Sequence, residues 1–294
     1  MKTTYLFPRA AKYVGAMLAI PGFILGYLVV YRNYSIPGFE LKLRSKSTIL
    51  LSAVENFTNE FALTLVIAGL LLMAFSRTKK EDELTAKIRL NSLYWSIMTN
   101  YLLLACLIVL GIIGYITKSA PLNKIIDTIT DNLQYTVYNF FAPLVIFIAR
   151  FYYLLYRNKN EFDIKPVHYL PYKPYRFFGK WISIFIITIA VATELFGWDE
   201  FILNVLFVLP LSLLLWIYTN EKTEDEYVNA IRLDAMQVAV YVNYAILLLS
   251  NWFVYGAEFL LIQLINLVTI PLIFIAWFNY KVYRVSKQAE VKSI

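Results

Sequence analysis

The sequence holds one cysteine and one histidine. Cys106 lies inside an apolar run, so no intrachain disulfide can form, and the residue is expected as a small buried hydrophobe. His168 stands without the second His or Cys that a zinc site uses, so no metal or other cofactor is expected. Charge is also scarce. Only 16% of residues are Asp, Glu, Lys or Arg, against about 25% in soluble domains. No phosphate-binding loop, GxGxxG turn, HExxH, GxSxG or CxxC pattern occurs. An aspartyl-type intramembrane enzyme would need two acids facing each other at depth, and the sequence offers no such pair. Enzyme is therefore the least favoured class.

What is present is apolar and arranged in blocks. Hydrophobic residues make up 60% of the 294 positions. Leu63–Phe75, Leu102–Ile116 and Phe259–Phe278 are too continuously apolar to form one face of a soluble helix. Tyr (23), Phe (21) and Trp (6) are abundant, as at the two water–lipid boundaries of a bilayer. At about 20 residues per span, eight spans are predicted: 13–31, 57–75, 92–116, 134–156, 179–197, 201–218, 236–255 and 258–280. The first follows Lys2, Arg9 and Lys12 like a signal peptide, but no small-x-small cleavage site follows it, so it reads as an uncleaved helix. No connection is long enough to bury an independent core.

Orientation follows from the basic residues. The N-terminus, the loops after spans two, four and six, and the C-terminus carry 21 of the 27 Lys and Arg. Both ends are therefore expected in the cytoplasm. This distribution over short loops accounts for the net charge of +7 without a nucleic-acid partner. The first outer loop is the exception, with four basic residues around Phe39-Glu40-Leu41-Lys42-Leu43-Arg44. Its alternation suits a short strand, a segment lying on headgroups, or a plain loop.

An internal repeat organises the chain. Lys79–Leu104 matches Lys222–Leu247 at a constant offset of 143, with ten identities in 26 positions. They include Glu81/Glu224, Asp82/Asp225, Glu83/Glu226, Ile88/Ile231, Arg89/Arg232, Leu90/Leu233, Asn100/Asn243 and Tyr101/Tyr244. Shared apolar composition does not produce matched charges. Ile146-Phe-Ile-Ala-x-Phe-x-Tyr-x-x-Tyr-Arg157 recurs as Ile273–Arg284 at offset 127, and Tyr5-Leu6…Lys12-x-x-Gly15 parallels Tyr169-Leu170…Arg176-x-x-Gly179. The expected organisation is a first four-helix repeat over 1–157, a cytoplasmic linker and start of the second repeat over 158–178, and the second repeat with a short tail over 179–294. An even number of spans per repeat makes the two copies parallel, about an axis along the membrane normal.

Tyr169-Leu-Pro…Arg-Phe-Phe-Gly-Lys-Trp181, then Glu-Asp-Glu-x-x-x-x-Ile-Arg-Leu, then Tyr-x-Asn-Tyr244, resembles a family of bacterial integral membrane proteins. That family is common in Bacteroidetes and usually carries one four-helix unit per chain. The resemblance covers each half, implies a tandem version of that unit in a bacterial cytoplasmic membrane, and implies no activity.

The repeated motif has plain physical readings. Thr78-x-x-Glu81 and Thr223-x-x-Glu226 have capping-box spacing, and acids in a first helical turn are favoured by about 0.3–1 kcal/mol each. Glu83 and Lys87 form an i,i+4 pair absent from the second copy, where Ala230 stands. Arg89 and Arg232 follow Asp82 and Asp225 by two turns, and are expected to snorkel at the inner boundary. The sharper reading pairs the Arg of one copy with the acids of the other, or makes both clusters a docking surface for a cytosolic protein partner or a homo-oligomer.

Deeper in the bilayer, Asn100 and Asn243, and Asn139 and Asn266, are matched or near-matched amides suited to bonding helices together, by about 0.6–2 kcal/mol. Pro143, Pro210 and Pro271 are expected to kink their spans. Glu60, Glu194 and Glu258 fall near outer span ends, where the interface is within reach; at membrane depth an acid is otherwise a candidate for transport. The expected fold is thus an all-α polytopic bundle. The leading function is a non-enzymatic regulatory, sensory or scaffold role, with small-solute or ion transport along a path between the repeats as the alternative.

Overall fold

A computed structural model describes residues 5–41, 55–118, 121, 124, 141–157, 167–196, 199–221, 225–254 and 257–292. Among these, eight helices of sixteen residues or more account for nearly all regular structure. They are α1 (Ala11–Arg32), α2 (Thr58–Ala74), α3 (Glu83–Thr117), α4 (Ala142–Arg157), α5 (Tyr175–Phe196), α6 (Asp199–Ile217), α7 (Glu226–Phe253) and α8 (Ala257–Lys292). The alternating loop forms a strand after all, if a minimal one. Glu40–Leu41 (β1) pairs antiparallel with Glu55–Asn56 (β2).

Four helices have the length and apolar character of membrane spans: α1, α5 over Tyr175–Ala192, α7, and α8 over Ile265–Val285. In α1, only 17% of the most apolar window is buried inside the chain. Its outward face carries Tyr13, Met17, Ile20, Ile24 and Tyr27. At 1.5 Å per residue the 22-residue helix is about 33 Å long, close to the thickness of a hydrocarbon layer. An apolar helix this bare is stable only in an apolar surrounding. Cys106 also points outward rather than into the core, as do Leu102, Leu103 and Val109 of the same apolar run.

The described residues fall into two compact units. One lies within residues 5–80 and 241–263; the other lies within 81–240 and 264–292. In the smaller unit α1 packs on α2 through glycine. A Cβ on Gly15 would lie 2.5 Å from the Gly69 carbonyl oxygen and 2.9 Å from the Met73 nitrogen, so the helices approach to backbone contact. Phe7 precedes α1 and lies parallel to the residues after α2, its N–H donating to Phe75 O (2.9 Å) and its carbonyl accepting from Arg77 N–H (3.0 Å).

In the larger unit α5 packs on α6 in the same manner. A Cβ on Gly179 would lie 2.6 Å from the Trp216 nitrogen. Leu170 precedes α5 and bridges in parallel to the end of α6, its N–H donating to Tyr218 O (2.7 Å) and its carbonyl accepting from Asn220 N–H (2.8 Å). Helix α3 packs on α4, with Phe147 and Phe151 of α4 buried and stacked at 5.7 Å. On α8, Phe274 and Phe278 are buried and stacked at 5.5 Å.

Candidate functional site at the repeated helix starts

Helices α3 and α7 begin at matched residues, Glu83 and Glu226. The aspartate just before each caps it; at α3 this replaces Thr78, which the sequence spacing favoured, while Thr223 lies outside the described residues. Asp82 Oδ1 accepts from Thr85 N–H at 2.9 Å and from the Thr85 hydroxyl at 2.8 Å. Asp225 Oδ1 accepts from Val228 N–H at 2.7 Å. Aspartate at the N-cap satisfies an orphan N–H and places a negative charge at the positive end of the helix. Thr78 lies a turn too early to cap, and its hydroxyl instead donates to Lys80 O at 2.6 Å.

The two arginines do not snorkel. Arg89 is 0% and Arg232 1% exposed, among the largest fully buried side chains of the protein. The physical reason is an aromatic bed. The Arg89 guanidinium lies 4.5 Å from the centre of the Phe151 ring. That of Arg232 lies 4.3 Å from Tyr169 and 5.1 Å from Phe278. A weakly hydrated planar cation stacks on such faces at modest desolvation cost. Arg89 also donates to Glu81 Oε1 at 3.1 Å, an ion pair within its own copy of the motif. Arg232 donates to Ile217 O (3.1 Å) and Thr219 O (2.8 Å), gathering carbonyls at the end of α6.

Two positions further along, the pattern continues. Asn91 Oδ1 accepts from Arg150 on α4, at 2.9 Å to the nearer nitrogen. Asp234, its match, accepts from Trp277 Nε1 at 3.3 Å and pairs with Lys281 at 3.2 Å, both on α8.

The exposed remainder of the cluster is small. Lys87 pairs with Glu83 at 2.9 Å, as the i,i+4 spacing predicts, and reaches Glu226 at 3.5 Å. Among the described residues, Lys87 thus links the two motif copies. The hydrogen bond and the charge of Lys87 hold the Glu83 carboxyl below its ordinary range, and Glu83 raises Lys87 in turn.

The other sequence candidates separate clearly. Asn100 and Asn243 are both buried, one in each compact unit. Asn266 is partly buried on α8. Glu60 is buried at the start of α2, and its backbone carbonyl accepts from Asn251 Nδ2 at 3.0 Å. Asn139, Glu224 and the side chains of Glu194 and Glu258 lie outside the described residues.

Sequence reasoning missed the aromatic bed, although the Phe147/Phe151 and Phe274/Phe278 pairs stood at i,i+4 inside a matched block. It also missed Tyr169, Asn251 and a groove lined by Arg176, Trp216, Glu221, Arg232, Phe278 and Asn279. In that groove Arg176 pairs with Glu221. No known protein family, curated protein or solved structure matches the chain.

Proposed function

We propose that the chain is a multi-pass integral membrane protein of eight spans, built as two parallel four-helix repeats with both termini in the cytoplasm. In this reading it acts without catalysis, as a regulatory, sensory or scaffold protein that docks a cytosolic partner at its repeated helix starts. Matching local geometry supports the duplication. The Gly15/Met73 contact corresponds to Gly179/Trp216, the Phe7 bridge to that of Leu170, and Arg89 on Phe151 to Arg232 on Phe278. The resemblance to single-unit bacterial membrane proteins belongs to the same proposal and carries no activity.

The docking role rests on one observation. The starts of α3 and α7, one from each motif copy, meet at Lys87, leaving Glu83 and Glu226 at 51% and 82% side-chain exposure. Asp82 and Asp225 are occupied as caps, and Glu81 is turned toward a buried arginine. The outward charges are therefore the ones open to a partner, and their sign suits a basic surface.

The test is charge reversal at both exposed acids, Glu83→Lys with Glu226→Lys, in the full chain. Recovery of the cytosolic partner in a mild-detergent pull-down is expected to be lost while thermal stability is nearly unchanged, as for other solvent-exposed charges. Unchanged recovery overturns docking. Single cysteines at 83 and 226, in a Cys106→Ser background, test the topology separately. Both are expected to label only after the cytoplasmic side is opened, and labelling from opposite sides overturns the parallel repeat.

A further inference from the structure

Proline inside a helix lacks the N–H that would serve the carbonyl four residues earlier. In α8 that residue is Pro271, and the carbonyl it leaves without a helical donor is that of Leu267. The structure supplies a substitute from another helix. The Tyr101 hydroxyl, on α3, donates to Leu267 O at 2.5 Å. Tyr101 is 2% exposed, and Leu267 is buried as well. In an apolar surrounding, where water cannot fill the gap, such a carbonyl requires a partner.

We propose that Pro271 and Tyr101 form a latched hinge. The proline makes α8 a helix of two segments, and the hydroxyl holds them at one angle by standing in for the missing peptide N–H. Beyond the proline, Trp277 and Lys281 are fixed to Asp234 of α7, and Phe278 lies under Arg232. Opening the latch therefore moves residues 264–270 relative to an arm that stays anchored.

The latch is sensitive to α3 because a hydroxyl reaches that one carbonyl in only one register of the two helices. A slide of a single turn, about 5.4 Å, breaks the bond. Tyr101 rides on the same continuous helix as the capped start at Asp82 and Glu83, 18 residues and about 27 Å away. Displacement of that start, whatever causes it, is delivered to the hinge along a stiff rod. The hinge stands on a hydroxyl, a proline and a carbonyl, and is independent of how many helices span a membrane.

The experiment uses the full chain in nanodiscs, Cys106→Ser, with spin labels at the exposed positions Ile265 and Tyr280 on either side of the hinge. Tyr101→Phe removes the hydroxyl and keeps the ring. The open population in the distance distribution is expected to rise about three- to eighteen-fold, the factor one hydrogen bond between membrane helices contributes. Pro271→Ala restores the N–H at position 271, so it is expected to narrow the distribution. In that background Tyr101→Phe should change nothing. An unchanged distribution in Tyr101→Phe overturns the latch. So does equal broadening in the Pro271→Ala background, because the ring's packing would then be responsible. If Tyr101→Phe does not fold, Pro271→Ala alone decides: a narrowed distribution supports the hinge and an unaltered one overturns it.

Discussion

Arg89 and Arg232 hold the same place in two copies of one motif and rest on matched phenylalanines, and the polar contacts described at each fall on different parts of the chain. Arg89 meets a full carboxylate, Glu81, that is 21% exposed. Arg232 meets two backbone carbonyls at the end of α6 and a second aromatic face, Tyr169. What the copies share is the aromatic bed and the burial. A helix C-terminus carries about half a negative charge spread over its last carbonyls, and the Arg232 guanidinium forks onto two carbonyls there. The role common to both is therefore architectural, tying α3 to the aromatic face of α4 and α7 to that of α8.

The largest expected effect breaks this comparison if it fails. Arg232→Met keeps the apolar stem but strands the buried Ile217 and Thr219 carbonyls, at a cost of about 3 kcal/mol or more. Arg89→Met releases Glu81, which can turn toward solvent, at about 1–2 kcal/mol. Arg232→Lys should rescue little, because an ammonium cannot fork onto two carbonyls. Thermal melts of the detergent-solubilised protein, followed by tryptophan fluorescence, measure the order. Equal losses at both arginines would mean that the shared ring contact, not the differing polar partners, sets the energy.

Next in size are the caps, where the copies are alike and their responses should be too. Asp82→Ala and Asp225→Ala are each expected to cost about 1 kcal/mol, while the asparagine variants are nearly silent because an amide oxygen still accepts the N–H. Thr78→Ala should be silent as well. A loss at Thr78 as large as at Asp82 would restore the capping box that the sequence suggested.

How far the sequence carried this reading depends on the distance over which each feature is specified. Helix positions, the i,i+4 pair and the acidic helix starts are local, and periodicity and spacing express them directly. The choice between Thr78 and Asp82 as cap was not legible, because both residue types cap well and only the trajectory of the chain decides. The burial of Arg89 was hidden for another reason. Two turns of spacing place it on a face, but what covers that face is Phe151, sixty-two positions on. Asn251 meets the Glu60 carbonyl with no signal in the neighbourhood of either. Pro271 is intermediate: its sequence position announces an orphaned carbonyl at Leu267, but nothing local names Tyr101 as the donor.

The smallest effect concerns the exposed charges. The Glu83 carboxyl is held below its ordinary value, first by its hydrogen bond to Lys87 and then by that residue's charge. A depressed carboxylate stabilises the folded chain at pH above its unfolded value, and this contribution fades as pH falls through the folded one. Lys87 is shifted the other way, raised chiefly by Glu83. Its share is complete below the ordinary lysine range and fades only as pH climbs above it. Between those limits the pair is intact, so stability should be flat across neutral pH and slope gently down in acid, more shallowly still in high salt. The second copy has Ala230 where Lys87 stands, so Glu226 lacks a lysine one turn along its own helix and, among the described residues, makes the longer contact to Lys87. Lys87→Ala should therefore remove the acid slope due to Glu83 and make the start of α3 behave like that of α7. Melting curves at stepwise pH and two salt concentrations measure this. An acid slope unchanged in Lys87→Ala would place the titrating group elsewhere.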